Sequence, residues 1–546
     1  MTYGFDAEWE PKEPFTLRMI TVFSSHQGSG AVLRSPGDVK RWMHGHHDIR
    51  YGFFFFALRD ADAFREWGCE VQPWLRGQQP CFTVTHGRTR FVLYDLHLLA
   101  QSFGCWSLKQ MGELIGCPKY DKGALDLPSD HPDFIRYAVR DAEICARFAD
   151  WVRNYTGFDP SMLASAGTLA SQYFRPPTRF QHGFKDIPGR EWMIRKYSFA
   201  GRSEAFYTGL LRDVKYYDVV SLYPVAALCS HALDIVGVEP CSASEINLSP
   251  RLGEYDYGWV SGVFESEDDL WGLPVRRLGR NYYVRGRVSG FYHTFDLRAA
   301  NARVVRVRRC FRPVRSADDG LHRRFREAYL SRLSADRVRD IYLKAVLNAL
   351  IGKLGARVPQ PSRVANYPAY HTVLAAAHNM MSDLLHRVKQ PFYMDTDSVF
   401  TDLELETDLG ELDGIAHRLR LKAEGDCAVL AAKRYSFRNS PKHARLGWWY
   451  NPGAFYDAVW SDRDVYHVTK ELRHTLFTRE KAAQAMPLGC WVHAPRDLTR
   501  EKVDLLLAAD TKRVRQTYNS RELVREGRSI PSQSYLIRSD GVRQVG

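Results

Sequence analysis

No run of eighteen apolar residues occurs in the 546-residue chain, so no helix is expected to span a membrane. The ten cysteines (69, 81, 105, 117, 145, 229, 241, 310, 427 and 490) contain no C-x-x-C pair. That absence argues against a cysteine-based zinc module and for reduced thiols in a cytoplasm. The first residues, "MTYGFDAEWE", are acidic from the sixth position and lack the basic-then-apolar layout of a secretory leader. Internal repeats and low-complexity tracts are also missing, which excludes solenoids and disordered arrays.

What is present is a globular composition, 45% hydrophobic and 13% aromatic, in a chain long enough for three or four structural units. The formal net charge of +13 points to a polyanionic partner. Basic residues are spread from "RVVRVRRCFRPVR" to "TKRVRQTYNSRELVREGR", as a long groove requires and a single tail does not.

Residues 1–150 alternate short β-like runs (Met19–Phe23, Phe53–Leu58, Arg90–Tyr94) with helical patterns. One helix is expected from Asp133 to about Val152, and the whole reads as a mixed sheet with flanking helices. "RPPTRFQHGFKDIPGR" reads as a linker. Residues 321–352 carry two helical stretches broken near "LSADR", and a further helix runs from Val373 to Val388. Beyond Ser440 the chain is rich in Arg and Trp.

The stretch "QPFYMDTDSVF" places Asp395 and Asp397 two residues apart in an apolar context. On an extended strand both point the same way, and two such carboxylates repel unless a proton or a cation lies between them. Either the segment is a turn open to water or the pair holds metal. Upstream, "VKYYDVVSLYP" ends a β-favouring run with Asp218, and a buried strand-end aspartate is expensive unless paired or metal-bound. If the two strands are neighbours, three carboxylates converge beside a basic groove, the arrangement that two-metal phosphoryl transfer needs. Between them, "IYLKAVLNALIGKLG" puts Lys344, Asn348 and Gly352 on one helix face, with Arg332 in "YLSRLSADR" just before it. Lysine supplies a point charge for a triphosphate, and glycine lets a flat base pair approach the backbone. Taken alone, such spacing fits a solvated basic helix equally well.

Together "DVVSLYP", "KAVLNALIG" and "YMDTDS" resemble motifs A, B and C of family B DNA polymerases, and "AAKRYSF" resembles the K-x-Y element that follows them. "SFAGRSEAF" is similar to the loop that joins the exonuclease and polymerase halves in that family. The resemblance implies an α/β multidomain chain with an N-terminal RNase H-like 3′→5′ exonuclease and a right-hand polymerase of palm, fingers and thumb. It implies Asp218 and Asp397 as metal-bridging carboxylates, with Val219 also at the metal site and Asp395 as the lesser partner. Tyr223 becomes the steric gate, in a nucleotide site shared with Ser221, Leu222, Arg332, Lys344, Asn348 and Gly352. Lys433, Tyr435, Thr396, Gly201 and Arg202 become DNA contacts. Motif B departs from the family pattern, with Ala349 and Ile351 where serine and tyrosine are usual.

A second acidic pair, Asp6 and Glu8 in "YGFDAEWEP", combines with Tyr137 and Asp141, four apart in "RYAVRDAEI". A D-x-E alone is common on surfaces; at the start of such a chain it resembles the family's proofreading exonuclease, in which carboxylates hold two metals and the tyrosine orients water. The third acidic element is Asp60 in "FFFFALRDADAF", with Asp62 as the alternative and Asp95 in "FVLYDLHLL" a further candidate. The family's usual asparagine is missing, an expected cost to proofreading. "HGHH" at 44–47 reads as loop histidines rather than a metal site.

The implied organisation is exonuclease 1–155, linker 156–215, palm 216–320 and 359–440, fingers 321–358 and thumb 441–546. The implied cofactor is Mg2+, two ions in each site, with Mn2+ as a substitute. The implied partners are primer–template DNA, dNTPs and a terminal protein primer, and the expected state is a monomer in a bacterial host cytoplasm. The chain is short for the family and most like its compact phage and plasmid members. Asp218 and Lys344 are 126 residues apart, room for the insertion that grips a terminal protein; Lys344 and Asp395 are only 51 apart, which leaves little for a second one. The rival readings are a nucleic-acid-binding protein derived from a polymerase, and an exonuclease alone.

Overall fold

The computed structural model describes residues 2–440 apart from 11–15, 56–59, 77–78, 121–122, 124–125, 180–186, 278–279 and 357–361. Beyond 440 it describes 443–444, 459–460, 467–470, 501–504, 520–531, 535–538 and 541–542, so most of the expected thumb lies outside the described residues. By its contacts the chain divides into two units. The first contains Met1–Arg175 and Leu330–Leu350; the second contains Pro176–Tyr329, Ile351–Glu471 and Thr499–Gly546.

In the first unit a seven-stranded sheet has the order β3-β2-β1-β4-β7-β6-β5. Its strands are β1 Tyr3–Trp9, β2 Leu17–Ser24, β3 Ser29–Leu33, β4 Tyr51–Phe54, β5 Glu70–Arg76, β6 Gln79–His86 and β7 Thr89–Asp95. The β1–β4 and β4–β7 pairs are parallel and the rest antiparallel, the mixed sheet that the alternating pattern predicts. The expected strand at Phe53–Leu58 is Tyr51–Phe54 as far as it is described.

β1 and β2 are buried almost throughout because both faces are covered. Phe5, Ile20 and Val22 pack with Trp42, Phe64 and Phe91 on one side. Met19 and Phe23 meet Phe134, Ala138, Ala142 and Ala146 of the long helix on the other. That helix runs Pro132–Thr156, a turn longer than the periodicity suggests. Pro132 opens it under a His131 cap, and Gly157 closes it at φ +74°. Small residues let it approach: a Cβ on Gly4 of β1 would lie 1.9 Å from the Ala142 carbonyl oxygen. Leu330–Leu350 joins this unit through aromatics, Tyr342 stacking on Phe103 with centroids 5.3 Å apart. The break near "LSADR" falls between the helices Gly320–Leu333 and Arg337–Gly355.

The second unit is built on an antiparallel sheet with the order β19-β18-β9-β16-β15-β8. The strands are β8 Ser203–Ala205, β9 Tyr207–Val219, β15 Tyr393–Asp395, β16 Ser398–Thr401, β18 Ile415–Ala431 and β19 Arg434–Phe437. A second sheet places β10 Ile235–Cys241, β14 Arg303–Arg315, β11 Trp259–Ser266 and β13 Arg280–His293 side by side, with β12 Leu273–Arg277 on β13. Against the second sheet packs the helix Tyr367–Val388, which begins six residues before the expected Val373 because Asn366 caps it and Pro368 suits its first turn.

That helix is almost entirely buried and contacts the helices Leu222–Cys229 and Thr294–Ala299. Asp296, 1% exposed, is held between His378 Nδ1 at 2.8 Å and His371 Nε2 at 3.3 Å. Burial alone would push its carboxyl up; the two histidines outweigh that and hold it well below the usual carboxylate range.

Candidate active sites

In the second unit Asp218 lies one residue before the end of β9, paired in register with Ser398 of β16. Asp395 ends β15, and Thr396 turns the chain back at φ +65°. Asp397 donates its amide to the Asp395 carbonyl at 2.7 Å. The segment is therefore a tight hairpin, and the expectation of two aspartates side by side on one extended strand gives way to a pair at its tip. The hairpin does what the metal alternative requires, because Asp397 comes next to Asp218. Burial first and the Asp218 charge second push the Asp397 carboxyl up to about 6.

Two lysines answer these charges: Lys422, which the sequence did not single out, and Lys433, expected as a DNA contact. Lys422 Nζ lies 3.1 Å from Asp218 Oδ2. It stands at a register shift between Leu421 and Ala423, and such a bulge re-aims a side chain. Lys433 bonds the Asp395 carboxylate, so Asp395 is neutralised by the chain itself. Among the described residues, the three aspartates do not form a cluster with donor atoms all within 4.8 Å of one another. The ion-ready part is Asp218 with Asp397.

Leu222 and Val219 are buried, so any contact they make to nucleotide or metal runs through the backbone. Tyr223, half-buried, lies under Gly201, where a Cβ would stand 2.7 Å from its hydroxyl and 2.6 Å from Thr396 Cγ2. Burial, then Asp397, raises the Tyr223 phenol. Ser221 precedes the helix Leu222–Cys229 at φ +58°.

Three of the expected contact residues are paired or packed within the chain. Arg202 is 3% exposed: its Nε donates to Glu204 at 2.6 Å and its NH1 to the carbonyls of Leu270 and Trp271. It braces the hairpin turn, whose Thr396 amide donates to the Arg202 carbonyl at 2.6 Å. Tyr435 is 5% exposed and packs against Phe400 and Tyr393, which leaves Lys433 as the solvent-facing half of K-x-Y. Arg332, with a side chain 9% exposed, holds Asp340 at 2.6 Å. Lys344 and Asn348 lie on the first unit's part of the helix Arg337–Gly355, with Asn348 Nδ2 donating to the Lys344 carbonyl. Gly352 lies on the second unit's part, with open space where a Cβ would stand.

In the first unit the strand argument holds as expected. Asp6 and Glu8 lie two apart on β1, and Asp141 reaches them from the Pro132–Thr156 helix. One carboxylate oxygen of each lies within 4.8 Å of the others. Lys119, not singled out by the sequence, bonds Asp141 and stands 4.7 Å from the centroid of the Tyr137 ring. Asp60 opens its helix facing the cluster and feels the charges of Asp6, Glu8, Asp95 and Asp141. Asp62 lies in the first turn of the same helix, and Asp95 caps His97 by accepting its amide at 2.8 Å.

Burial, then Asp141, pushes Glu8 up to about 7; burial, then Asp6, does the same to Asp141. Asp6 and Asp60 are raised well above the ordinary range, by burial and then by their acidic neighbours. The donor set fits a divalent cation: three oxygen donors converge, and Asp141 Oδ1 is buried with no hydrogen-bond partner. "HGHH" joins no such cluster among the described residues; His46 Nδ1 faces the Trp42 carbonyl at 2.8 Å.

No family model matches the sequence, and no curated protein matches it. Solved structures do match the fold. Phi29 DNA polymerase complexed with primer-template DNA, in its post-translocation binary complex, aligns at a TM-score of 0.58 and 15% identity. That alignment covers 80% of this chain and 86% of the other. The same polymerase with primer-template DNA and incoming nucleotide substrates aligns at 0.58 and 14%, over 80% and 87%. No helix of the described residues is long and apolar enough to cross a membrane. In fold, then, the chain is similar to Phi29 DNA polymerase, a protein-primed family B polymerase.

Proposed function

We propose that the chain is a template-directed DNA polymerase that extends a primer 3′-hydroxyl with dNTPs, and that its first unit is a 3′→5′ proofreading exonuclease. The observation that carries the reading is the pairing of β9 with β16, which puts Asp218 and Asp397 together at one sheet edge. Asp218 and Asp397 would hold Mg2+, which would supply a lowered pKa for the attacking hydroxyl and charge stabilisation on the phosphoryl oxygens. Lys422 and Lys433 keep the acidic patch from self-repulsion before an ion arrives. Tyr223, pinned beneath Gly201, stands as a rigid wall for the sugar.

In the exonuclease unit Asp6, Glu8, Asp141 and Asp60 hold metal. Lys119 fixes the Asp141 carboxylate and lies against Tyr137, which positions the attacking water. The chain length and the likeness to a protein-primed enzyme support a phage or mobile-element replicase acting in a bacterial cytoplasm, primed by a terminal protein. Primer extension on a 5′-labelled primer–template with Mg2+ tests the reading. Extension lost in Asp397→Ala, with primer shortening lost only in Asp6→Ala/Glu8→Ala, supports two independent sites. No extension by the parent chain on DNA-primed or protein-primed template overturns it.

A further inference from the structure

Away from both carboxylate sites, the second unit contains a cleft of about 240 Å3 whose charged lining the polymerase reading does not use. The helix Tyr367–Val388 is buried along most of its length, yet it carries Asn379, Asp383 and Arg387 at i, i+4 and i+8. That spacing puts an amide, a carboxylate and a guanidinium on one helix face, and all three line the cleft. Arg298 joins them from the last turn of the helix Thr294–Ala299, Arg251 from the segment before β11, and His417 from β18.

Asn379 is 1% exposed, and its Nδ2 is buried with no hydrogen-bond partner among the described residues. The same holds for Arg298 Nε and for Nε2 of His417. Buried polar atoms are almost always satisfied, so three orphaned nitrogens around one cleft mark a place for acceptor atoms. Asp383 feels the charges of Arg298 and Arg387, yet among the described residues neither of those two nor Arg251 forms an ion pair. Three guanidinium groups against one carboxylate leave the lining net positive. Burial, then Arg387, pushes His417 down to about 4, so its ring is neutral at physiological pH and can present Nε2–H as a donor.

We infer that this cleft binds a phosphomonoester of nucleoside monophosphate size, held by its phosphate on Arg251, Arg298 and Arg387. Guanidinium forks match phosphate oxygens bidentately, and a phosphoryl group brings three strong acceptors to a site with as many orphaned donors. The volume is far more than a single water needs, and a bare anion would leave one wall uncovered. That wall is apolar: Leu384 of the long helix, with Leu409 and Leu412 of β17 Asp408–Leu412. A flat base covers such leucines, and Asp383 can accept from an amino or hydroxyl group on the same ligand. Bound there, the ligand ties the helix that leads into the β15–β16 hairpin to β18, whose Leu419 pairs with Val219.

The test uses the full chain in EDTA, so that neither carboxylate site can hold a metal-bound phosphate. The four deoxynucleoside 5′-monophosphates, inorganic phosphate and deoxyadenosine are each titrated calorimetrically. At least one monophosphate is expected to bind at one equivalent, with inorganic phosphate and the nucleoside each at least about 10-fold weaker. Arg251→Gln and Arg387→Gln, both at exposed positions, should each weaken it about 10-fold. Lys344→Gln, in the nucleotide site that the family resemblance implies, should leave it unchanged. No binding, equal affinity in the Arg251→Gln/Arg387→Gln chain, or loss in Lys344→Gln overturns the inference. Inorganic phosphate bound as tightly as the monophosphates overturns it too, by removing the apolar wall from recognition. Circular dichroism checks that the arginine variants fold. If one does not, hydrogen exchange of the parent decides: the ligand has to slow exchange in segments 379–388 and 408–417, and unchanged exchange there overturns the site.

Discussion

The amide of Val219 donates to the carbonyl of Asp397 at 2.7 Å, so the end of β9 and the tip of the β15–β16 hairpin are one hydrogen-bonded unit. The carboxylates of Asp218 and Asp397 thus hold their spacing through backbone, which neither side-chain rotation nor salt disturbs. The price is repulsion, visible in the raised Asp397 carboxyl.

Asp397→Asn removes that repulsion and one metal ligand together. Extension should fall on the order of 10³-fold or more. The thermal midpoint of the metal-free chain should hold or rise. A clear fall in that midpoint, read by circular dichroism, would mean that the carboxylate is structural.

The carboxylates of the first unit set a pH dependence whose sign follows from the direction of their shifts. Glu8 and Asp141 keep protons up to about pH 7 in the folded chain, whereas unfolded carboxyls release them near pH 4. Between those limits the folded state binds more protons, so metal-free stability declines as pH rises from about 4 to about 7. Divalent metal substitutes for the protons. Its stabilising effect on the first unit should therefore be larger at pH 8 than at pH 6, and primer shortening should need more Mg2+ at pH 6. Thermal melts and a Mg2+ titration at the two pH values check this; equal metal requirements would count against these groups as ligands.

Asp60 and Asp62 separate cleanly. Asp60→Asn should lower primer shortening about 100-fold, as loss of a metal-site carboxylate does, while Asp62→Asn leaves it within a few-fold. Equal losses in the two variants would show that disturbance of their shared helix is the cause.

How far the sequence alone could go is clear from these residues. The same i, i+2 spacing was read correctly at Asp6 and Glu8, which lie on a continuous strand. At Asp395 and Asp397 the spacing left a turn and a metal pair as alternatives, and Thr396 at φ +65° makes the turn. Helix periodicity placed Tyr137 and Asp141 on one face because the small residues behind them repeat. Lys119 and Lys422 escaped notice: the first follows no periodic element and the second depends on a strand bulge. Arg202 shows that a positive charge carries no address; Glu204, two residues on, was the sign that it would be paired internally.

Lys119→Met should lower primer shortening and leave extension of a matched primer unchanged. It also leaves Asp141 buried without its counter-ion, a loss of about 1–3 kcal/mol for the first unit. Hydrogen exchange of the Pro132–Thr156 helix reads the second effect separately from the first. Unaltered shortening would remove Lys119 from the site.

Gly201→Ala introduces a methyl where Thr396 and the Tyr223 hydroxyl already stand. Tyr223 has to shift, so the KM for dNTPs should rise and discrimination against ribonucleotides should change, with DNA affinity kept. Single-nucleotide incorporation with dNTP and rNTP measures both. An unchanged ratio would show that Tyr223 is not the wall of the sugar pocket.

The closeness of Gly4 to the Ala142 carbonyl reaches further than packing. Asp6 is two residues along the same strand, and Asp141 is the residue before Ala142. A single methyl on Gly4 has to drive helix and strand apart by more than an ångström to reach ordinary contact, while metal–ligand distances tolerate about 0.2 Å. The spacing of the proposed metal ligands is thus set by a hydrogen atom on a residue that is not one of them. Gly4→Ala would act as a remote misalignment, silencing the nuclease with every ligand still in place.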